Sequence, residues 1–488
     1  MLTPLHPDQA GRLREYLAGV NYTTHQLRDQ MGLTALPSRQ LRTLPRMLDC
    51  TREPTPLHTL VRWFFIGVPV DSARAREALP GWLLSTLIES GLLSTRGDHL
   101  IPAVRMTPIE KLLIVSDSAL DFECSKPSDL VLWPNPTTRL LSWFTVRRPS
   151  RRTLDFGAGC GLQAMEAAIH SQTVVATDIN PKATEFAFFN ARLNGLDNIE
   201  FLTGDAFAPV EGQTFDLIVA NPPFFITPSR HYIFCDNNLD LDQFCRRLCK
   251  EAPAYLNEDG CFQMLCEWAQ IEGEPWQDRL TEWLRGTGCD AWVLKATTSE
   301  PSTYAQNRFR ESTPYREDAD DALFGGWMDY YRQRKVEAVH GGMIAMRRRA
   351  GANWIRIEDL PGSATKPFGE SILRMFTNRD FLDAHSSDEQ MLAAKLKLSP
   401  DAQLDQQFKP ADGKWQRTSL VLRLTGGFPA SLNMQPLVAE FISNCDGERT
   451  LGELTEDLAG KVNAGVDQVR KECLTVVRQL VERGFLVG

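Results

Sequence analysis

The period of apolar positions changes several times along the chain, and those changes outline its organisation. From Thr153 onward, short apolar runs alternate with helical segments. Thr153–Phe156, Thr173–Thr177, Ile199–Leu202, Phe215–Ala220 and Gly260–Glu267 read as strands. Leu162–His170, Pro181–Asn194 and Asp240–Leu256 read as the helices between them, with Pro181 suited to a first turn. Phe215–Ala220 is apolar throughout, as a strand covered on both faces requires. Strands alternating with helices predict a doubly wound α/β sheet. Asp290–Ala296 and Gly342–Arg347 read as an antiparallel edge to it. Between them lies a polar insertion, Thr298–Val339, long enough for a lid, a substrate-facing element or a disordered loop.

The flanks follow other patterns. Residues 1–53 read as helices and loops, and His58–Phe65 is apolar-periodic. Ala73–Ala78 and Gly81–Ser90 read as short helices. Leu92-Leu93-Ser94, the Arg96-Gly97-Asp98 turn and His99-Leu100-Ile101 then read as a hairpin. Helices followed by a hairpin wing suggest a winged-helix-like module, for nucleic acid or for protein docking. Past Asp359, Pro361–Gly413 is polar with a few helices, and Leu420–Leu424 is a strand. Gln435–Cys445, Thr450–Lys461 and Gly465–Arg483 are amphipathic helices, and Gly484–Val487 is a closing strand. Thr450 with Glu453 forms a capping box. The expected domains are 1–119, helical and winged-helix-like; 120–360, the α/β domain; and 361–488, helical and winged-helix-like.

Composition narrows the class. The 488 residues are 43% hydrophobic and 24% charged, which excludes a fibre or a disordered chain. No apolar run reaches a membrane span, and Met1–His6 lacks a basic start followed by an apolar block, so a cytoplasmic location is expected. The 11 cysteines include no Cys-x-x-Cys, so reduced thiols are expected, and neither a disulfide framework nor a metal site. The net charge of −9 argues against a general nucleic-acid coat. Residues 1–152 nevertheless carry 19 Lys and Arg against 14 Asp and Glu, with a basic cluster at Arg147–Arg152. Such a cluster beside a site could steer a polyanion, or be a solvated loop.

Chemistry-bearing residues sit at four successive strand tips. Asp155-Phe156-Gly157-Ala158-Gly159-Cys160-Gly161 ends a strand in a glycine turn, where backbone can approach a ligand at a helix N-terminus. Asp178-Ile179-Asn180 ends the next strand, where a carboxylate can accept from both ribose hydroxyls of an adenosine. Asp205-Ala206 follows the third, with an acceptor for an adenine amino group and room for its ring. Asn221-Pro222-Pro223-Phe224 follows the fourth. Consecutive prolines fix φ and remove N–H donors. The Asn221 amide oxygen and the Pro222 carbonyl can then accept from one planar –NH2, with Phe224 stacked on the group that carries it.

These four elements in this order resemble the class I S-adenosylmethionine-dependent methyltransferases, in the Asn-Pro-Pro-aromatic group that methylates nitrogen. That group includes release-factor glutamine methyltransferases, adenine-specific DNA methyltransferases and small-domain RNA base methyltransferases. The resemblance covers about residues 120–360. It implies a Rossmann-like seven-stranded domain and S-adenosylmethionine as cofactor. Asp155, Gly157, Gly159 and Gly161 would line its methionine end, Asp178, Ile179 and Asn180 its ribose, and Asp205 and Ala206 its adenine. Asn221 through Phe224 would hold the target nitrogen, with Asn221 also bordering the cofactor.

Upstream, Pro134-Asn135-Pro136-Thr137-Thr138 resembles a substrate-side segment of the glutamine methyltransferases. It departs from that pattern at Asn135, where Arg is usual, and at Thr138, where Glu is usual. Phe224 stands where Tyr is frequent. Phe224-Phe225 followed by Arg230-His231 is as similar to the base-modifying branch. Pro134, Pro136, Thr137, Arg230 and His231 are therefore the expected substrate contacts. The C-terminal Asp446-Gly447-Glu448-Arg449-Thr450 run resembles winged-helix modules that grip leader peptides. The expected reaction is methyl transfer to a planar amine or amide nitrogen, on an RNA base or on a protein glutamine or asparagine. A non-catalytic cofactor-binding adaptor is the alternative. A dinucleotide oxidoreductase is disfavoured, because Gly157-x-Gly159-x-Gly161 lacks the Gly-x-Gly-x-x-Gly spacing.

Overall fold

The computed structural model describes residues 2–31, 44–118, 128–312, 320–360, 367–428 and 430–488. The expected domain boundaries at 119 and near 361 thus lie at or outside the limits of the described residues. Two compact units form: Met1–Ser142 with Arg148–Glu358, and Trp143–Arg147 with Asp359–Gly488.

The first unit is built on one sheet. Its strands are β1 Ser150–Phe156, β2 Ser171–Asp178, β3 Ile199–Thr203 and β4 Phe215–Ala220. They continue with β5 Leu256–Ile271, β6 Cys289–Ser299, β7 Val336–Arg348 and β8 Ile355–Asp359. The spatial order is β8-β6-β7-β5-β4-β1-β2-β3. β3, β2, β1, β4 and β5 run parallel, while β7 lies antiparallel between β5 and β6. The sheet has eight strands where seven were expected; the eighth, β8, is an added edge. The order reverses between β1 and β4, and a ligand crevice opens outside the carboxyl ends of the strands at such a switch point.

The helix expected over Asp240–Leu256 is shorter. An α-helix covers Gln243–Glu251, and a 3-10 turn containing Pro253 follows. Proline cannot supply the N–H that the helix needs there. The described residues of the insertion after β6 are largely helical. Helices Pro301–Ser312 and Asp320–Gln333 bury Tyr304, Ala305, Trp327, Tyr330 and Tyr331 with Ile226. The basic cluster sits at the amino end of β1, about 20 Å of strand away from the glycine turn. There the Arg151 and Arg152 amides donate to Asp216 and Arg152 reaches Gln213, so the cluster is not beside the site.

The N-terminal segment packs onto this sheet's helix Pro181–Asn194, sharing one core with it through Leu13, Leu17, Ile114, Phe186 and Leu193. The expected hairpin forms: Leu93–Arg96 pairs with His99–Pro102, and Val70–Asp71 adds a third strand. A second hairpin, Val104–Ile109 with Leu112–Asp117, meets the helix along its edge. Asn190 and Asn194 stand one turn apart and act there as a strand would. The Asn190 amide accepts from Val115 N–H and donates to Val115 C=O, both at 2.8 Å. Asn194 does the same with Leu113 at 2.9 and 2.8 Å. Each amide satisfies edge groups that would otherwise be buried unpaired.

In the second unit, helices Pro436–Ser443, Leu451–Val462 and Val466–Glu482 form as expected, and Thr450 with Glu453 makes the capping box. Leu486–Val487 pairs with Lys397–Leu398. Phe441, Leu454, Val477, Val481 and Phe485 lie in its core. The polar stretch before Gly413 holds a strand as well as helices: Ala402–Ala411 pairs with Lys414–Leu424 in one long hairpin. Most of that hairpin faces solvent on both sides, so its residues do not alternate.

Candidate active site

The glycine turn sits at the switch point, between the ends of β1 and β4. Gly157, Gly159 and Gly161 have φ of +72°, +53° and +82°, where side chains are strained. A Cβ on Gly161 would stand 2.8 Å from the Ala187 Cβ, whereas one on Gly159 would meet nothing within 4 Å. The turn is thus closed toward helix Pro181–Asn194 and open above Gly159. Gly157 and Ala158 donate to the Thr177 carbonyl at 2.9 Å, fixing the turn to the end of β2.

Asp155 is buried beneath the turn, and its carboxylate accepts from Ala164 N–H at 2.8 Å. Burial raises its pKa to about 7, against the lowering effect of that bond and with repulsion from Asp178 and Glu166 adding to the rise. Folding therefore favours the protonated form. The stability this contributes is greatest below the ordinary carboxylate range and is lost as pH rises through about 7. Wild type should lose thermal stability relative to Asp155→Asn between about pH 5 and pH 8. A melting-temperature difference that stays constant over that range would refute the assignment.

Asp178 joins the turn to the next element. One oxygen accepts from Gly159 N–H at 2.8 Å, the other from Asn180 N–H at 2.8 Å. Burial raises its pKa, and these backbone bonds oppose the rise. Asn180 caps helix Pro181–Asn194 by accepting from Lys182 N–H, and its amide donates to Asp129 C=O at 2.8 Å. Asn180 is thereby committed to the scaffold, while Ile179 is 55% exposed at the rim. Two residues not expected from sequence complete this wall. Lys182 pairs with the buried Asp117 at 2.8 Å, and Asp117 also accepts from Val131 N–H. Asp205 is exposed at the tip after β3, and Ala206 beside it has φ of +47°. Behind them Phe207 stacks on Tyr255 with ring centroids 4.4 Å apart.

Asn221 follows β4, with its backbone oxygen 4.0 Å from where a Gly157 Cβ would lie. Its Oδ1 is buried and has no hydrogen-bond partner among the described residues. A buried unsatisfied acceptor costs about 1–3 kcal/mol and calls for a ligand to explain it. Pro222 is buried, and the Pro223 carbonyl is taken by Asn237 at 2.9 Å. Phe224 is mostly buried, with Phe225 tilted against it at 5.7 Å.

The segment after Phe224 is held by the two inserted helices. Tyr304 Oη accepts from Ile226 N–H at 3.0 Å and donates to Glu267, while Tyr331 donates to Ile226 C=O at 2.7 Å. Arg308 pairs with Glu267 and lies over the Phe225 ring at 4.0 Å. Tyr330 accepts from Leu241 N–H at 3.0 Å. The insertion thus clamps the segment downstream of Asn221. Arg230 is exposed and staples this loop by donating to the Ser229 and Leu239 carbonyls. The exposed His231 gives its backbone N–H to Asp236, which also accepts from Ser229 Oγ and Tyr232 N–H.

Asn135 is the cap of helix Pro136–Phe144. Its Oδ1 accepts from Thr138 N–H at 2.9 Å and from the Thr137 hydroxyl. That role explains asparagine at this position. Pro134 is buried and Pro136 exposed. Gln163, on the helix after the glycine turn, donates to Thr138 C=O at 2.9 Å and so binds this segment to the turn.

The residues present fit an adenosyl sulfonium ligand: an open glycine cradle, a carboxylate at the end of β2, and an orphaned acceptor across the crevice. Residues 135–272 match the methyltransferase small domain family. Residues 19–105 and 373–488 each match a domain of unknown function. A release factor glutamine methyltransferase of Xylella fastidiosa is 34% identical over 160 residues, 29% of this chain and 58% of that protein. One from Deinococcus radiodurans is 40% identical over 105 residues, 20% of this chain and 37% of that protein. A putative protein N5-glutamine methyltransferase of Methanocaldococcus jannaschii is 34% identical over 123 residues, 24% of this chain and 61% of that protein. The chain thus spans between 37% and 61% of the length of these relatives. The strand order, the glycine turn and the Asn-Pro-Pro-Phe exit at one crevice agree with that match, so residues 135–272 are similar in sequence and in sheet order to a methyltransferase small domain.

Proposed function

We propose that the chain transfers a methyl group to the side-chain amide nitrogen of a glutamine in a protein. The observation that carries this reading is the buried, unpartnered Asn221 Oδ1 beside the glycine turn. The relatives named as glutamine methyltransferases favour an amide over the RNA base that the sequence left open. The adaptor alternative gives that oxygen nothing to do, so it is not favoured.

S-Adenosylmethionine supplies an electrophilic methyl on sulfur. The chain's part is to hold and orient. Asp178 would hold the ribose hydroxyls as their acceptor, and Gly157 and Gly159 would leave room for the ligand against backbone. Asn221 Oδ1 accepts one N–H of the incoming amide and the Pro222 carbonyl the other. An amide nitrogen is a weak nucleophile because its lone pair is delocalised. Two fixed acceptors polarise its N–H bonds and aim the nitrogen at the methyl, and the surplus proton leaves to water. Phe224 and Phe225 wall the site, held by Tyr304 and Arg308.

Tyr304→Phe should lower kcat about tenfold with cofactor affinity unchanged, because Ile226 N–H loses its acceptor and the Asn221 exit loosens. Equal kcat in steady-state assays would remove Tyr304 from the positioning role. The substrate class is tested with labelled cofactor and lysate from cells lacking the protein. Label should be protease-sensitive and should fall on glutamine after digestion. RNase-sensitive label would replace the amide with a nucleobase. Among the described residues no helix is long and apolar enough to cross a membrane.

A further inference from the structure

We propose that the hairpin arm formed by Ala402–Ala411 and Lys414–Leu424 is a docking site for single-stranded RNA. The arm belongs to the second unit and is independent of the methyl-transfer reading. Gln406 pairs with Leu420, Phe408 with Arg417, Pro410 with Trp415, and Ala411 with Lys414. Leu420 is buried, but from Gln406 to Thr418 every residue is exposed except the half-buried Ala411. Six paired residues at about 3.4 Å each put the tip about 20 Å beyond the last buried contact. A two-stranded ribbon without a core is marginal by itself.

The composition of this ribbon points to its partner. Trp415 is 73% exposed and Phe408 49% exposed, so neither ring contributes to a core. Two-residue periodicity places Phe408, Pro410, Trp415 and Arg417 on one face, and Lys409, Lys414 and Gln416 on the other. Lys409, Lys414 and Arg417 have no ion-pair partner among the described residues, and Asp412 is the one acid between Gln406 and Thr418. Nearer the base, by contrast, Arg423 is neutralised by Asp405 at 2.7 Å. The surrounding segment, residues 359–488, is acidic overall, with 15 Lys and Arg against 18 Asp and Glu. The free cations are therefore a local feature that a polyanion would find.

Two exposed rings that share a face with Arg417, with Lys409 and Lys414 on the reverse of the same narrow ribbon, suit unstacked bases and their phosphates. A duplex keeps its bases stacked and offers the rings nothing. An apolar protein surface would have to desolvate three unpaired cations.

The test uses the full chain and a fluorescent 12-nucleotide oligouridine in an anisotropy titration. The expected result is binding that weakens with salt, with a log–log slope of about −2 for three neutralised phosphates. Trp415→Ala should weaken binding at least tenfold, and Lys409→Ala with Lys414→Ala should flatten the slope. Both changes are in exposed side chains, so cofactor affinity should stay unchanged and report an intact fold. The proposal is overturned by wild-type affinity in Trp415→Ala, by equal binding of a duplex of the same length, or by no binding at all. Binding confined to phosphatidylserine vesicles or to a polyglutamate peptide would also overturn it. A failed methyl-transfer assay would leave this result standing, since the expected binding uses only residues of the arm and none named at the Asn221 site.

Discussion

Asn221→Ala should slow turnover severely while S-adenosylmethionine still binds. The expected loss in kcat is about 10²–10³-fold, the usual effect of deleting one preorganised group that acts on the reacting centre. The physical reason lies in the side chain's present state. Its Oδ1 is buried without a partner, so the fold already bears the cost of desolvating that acceptor. No reorganisation is needed when the substrate amide arrives. Replacement by alanine removes an unsatisfied group, so the variant should be at least as stable as wild type. A lower kcat beside an equal or higher melting temperature separates a role in chemistry from one in folding. Asn221→Asp is the sharper control. It keeps an acceptor of the same shape, puts a charge in a buried position and should also be slow. Activity near wild type in Asn221→Ala, measured with the acceptor identified by the lysate experiment, would sink the assignment.

Asp178→Ala should weaken cofactor binding by about 30–100-fold, or roughly 2–3 kcal/mol. Two losses combine. The ribose loses its acceptor, and Gly159 N–H and Asn180 N–H lose theirs. The glycine turn and the start of helix Pro181–Asn194 are both tied to this one carboxylate, so its removal loosens the cradle as well. Asp178→Asn keeps an acceptor for one of the two N–H groups and should fall between alanine and wild type. Isothermal titration with S-adenosylhomocysteine reads the effect without turnover. Unchanged affinity in Asp178→Ala would show that the ribose lies elsewhere.

Both residues were legible as candidates because strand tips announce themselves. A continuous apolar run such as Phe215–Ala220 ends at a polar or special residue, and the parallel sheet brings such ends together. Other parts of the site gave no such signal. Asp117 and Lys182 are 65 residues apart and meet because the second N-terminal hairpin packs on helix Pro181–Asn194. Tyr304, Tyr331 and Arg308 come from a stretch whose polar surface conceals a buried aromatic face. Asn190 and Asn194 did carry a trace: two asparagines one turn apart are poor helix formers, and their positions make sense only once the strand Leu112–Asp117 lies against them. The arm of the second unit was missed because a ribbon exposed on both faces has no alternation. Its Asp412-Gly413 turn, with φ of +50° and +74°, was the readable sign.

Local chemistry alone dictates much of this chain. The period of apolar residues set the alternation of strands and helices. Left-handed glycines set the turn, and proline pairs set the exit from β4. These follow from sterics and burial within a few residues. Which groups remain without partners, and which distant groups meet, follows from the packing of the whole fold. That Asn221 has a free oxygen while Asn135, Asn180 and Asn190 are all spent on the scaffold cannot be read from four asparagines in a row of letters. The same amide is a cap, a strand mimic or a ligand acceptor according to which backbone groups the fold brings within about 3 Å of it.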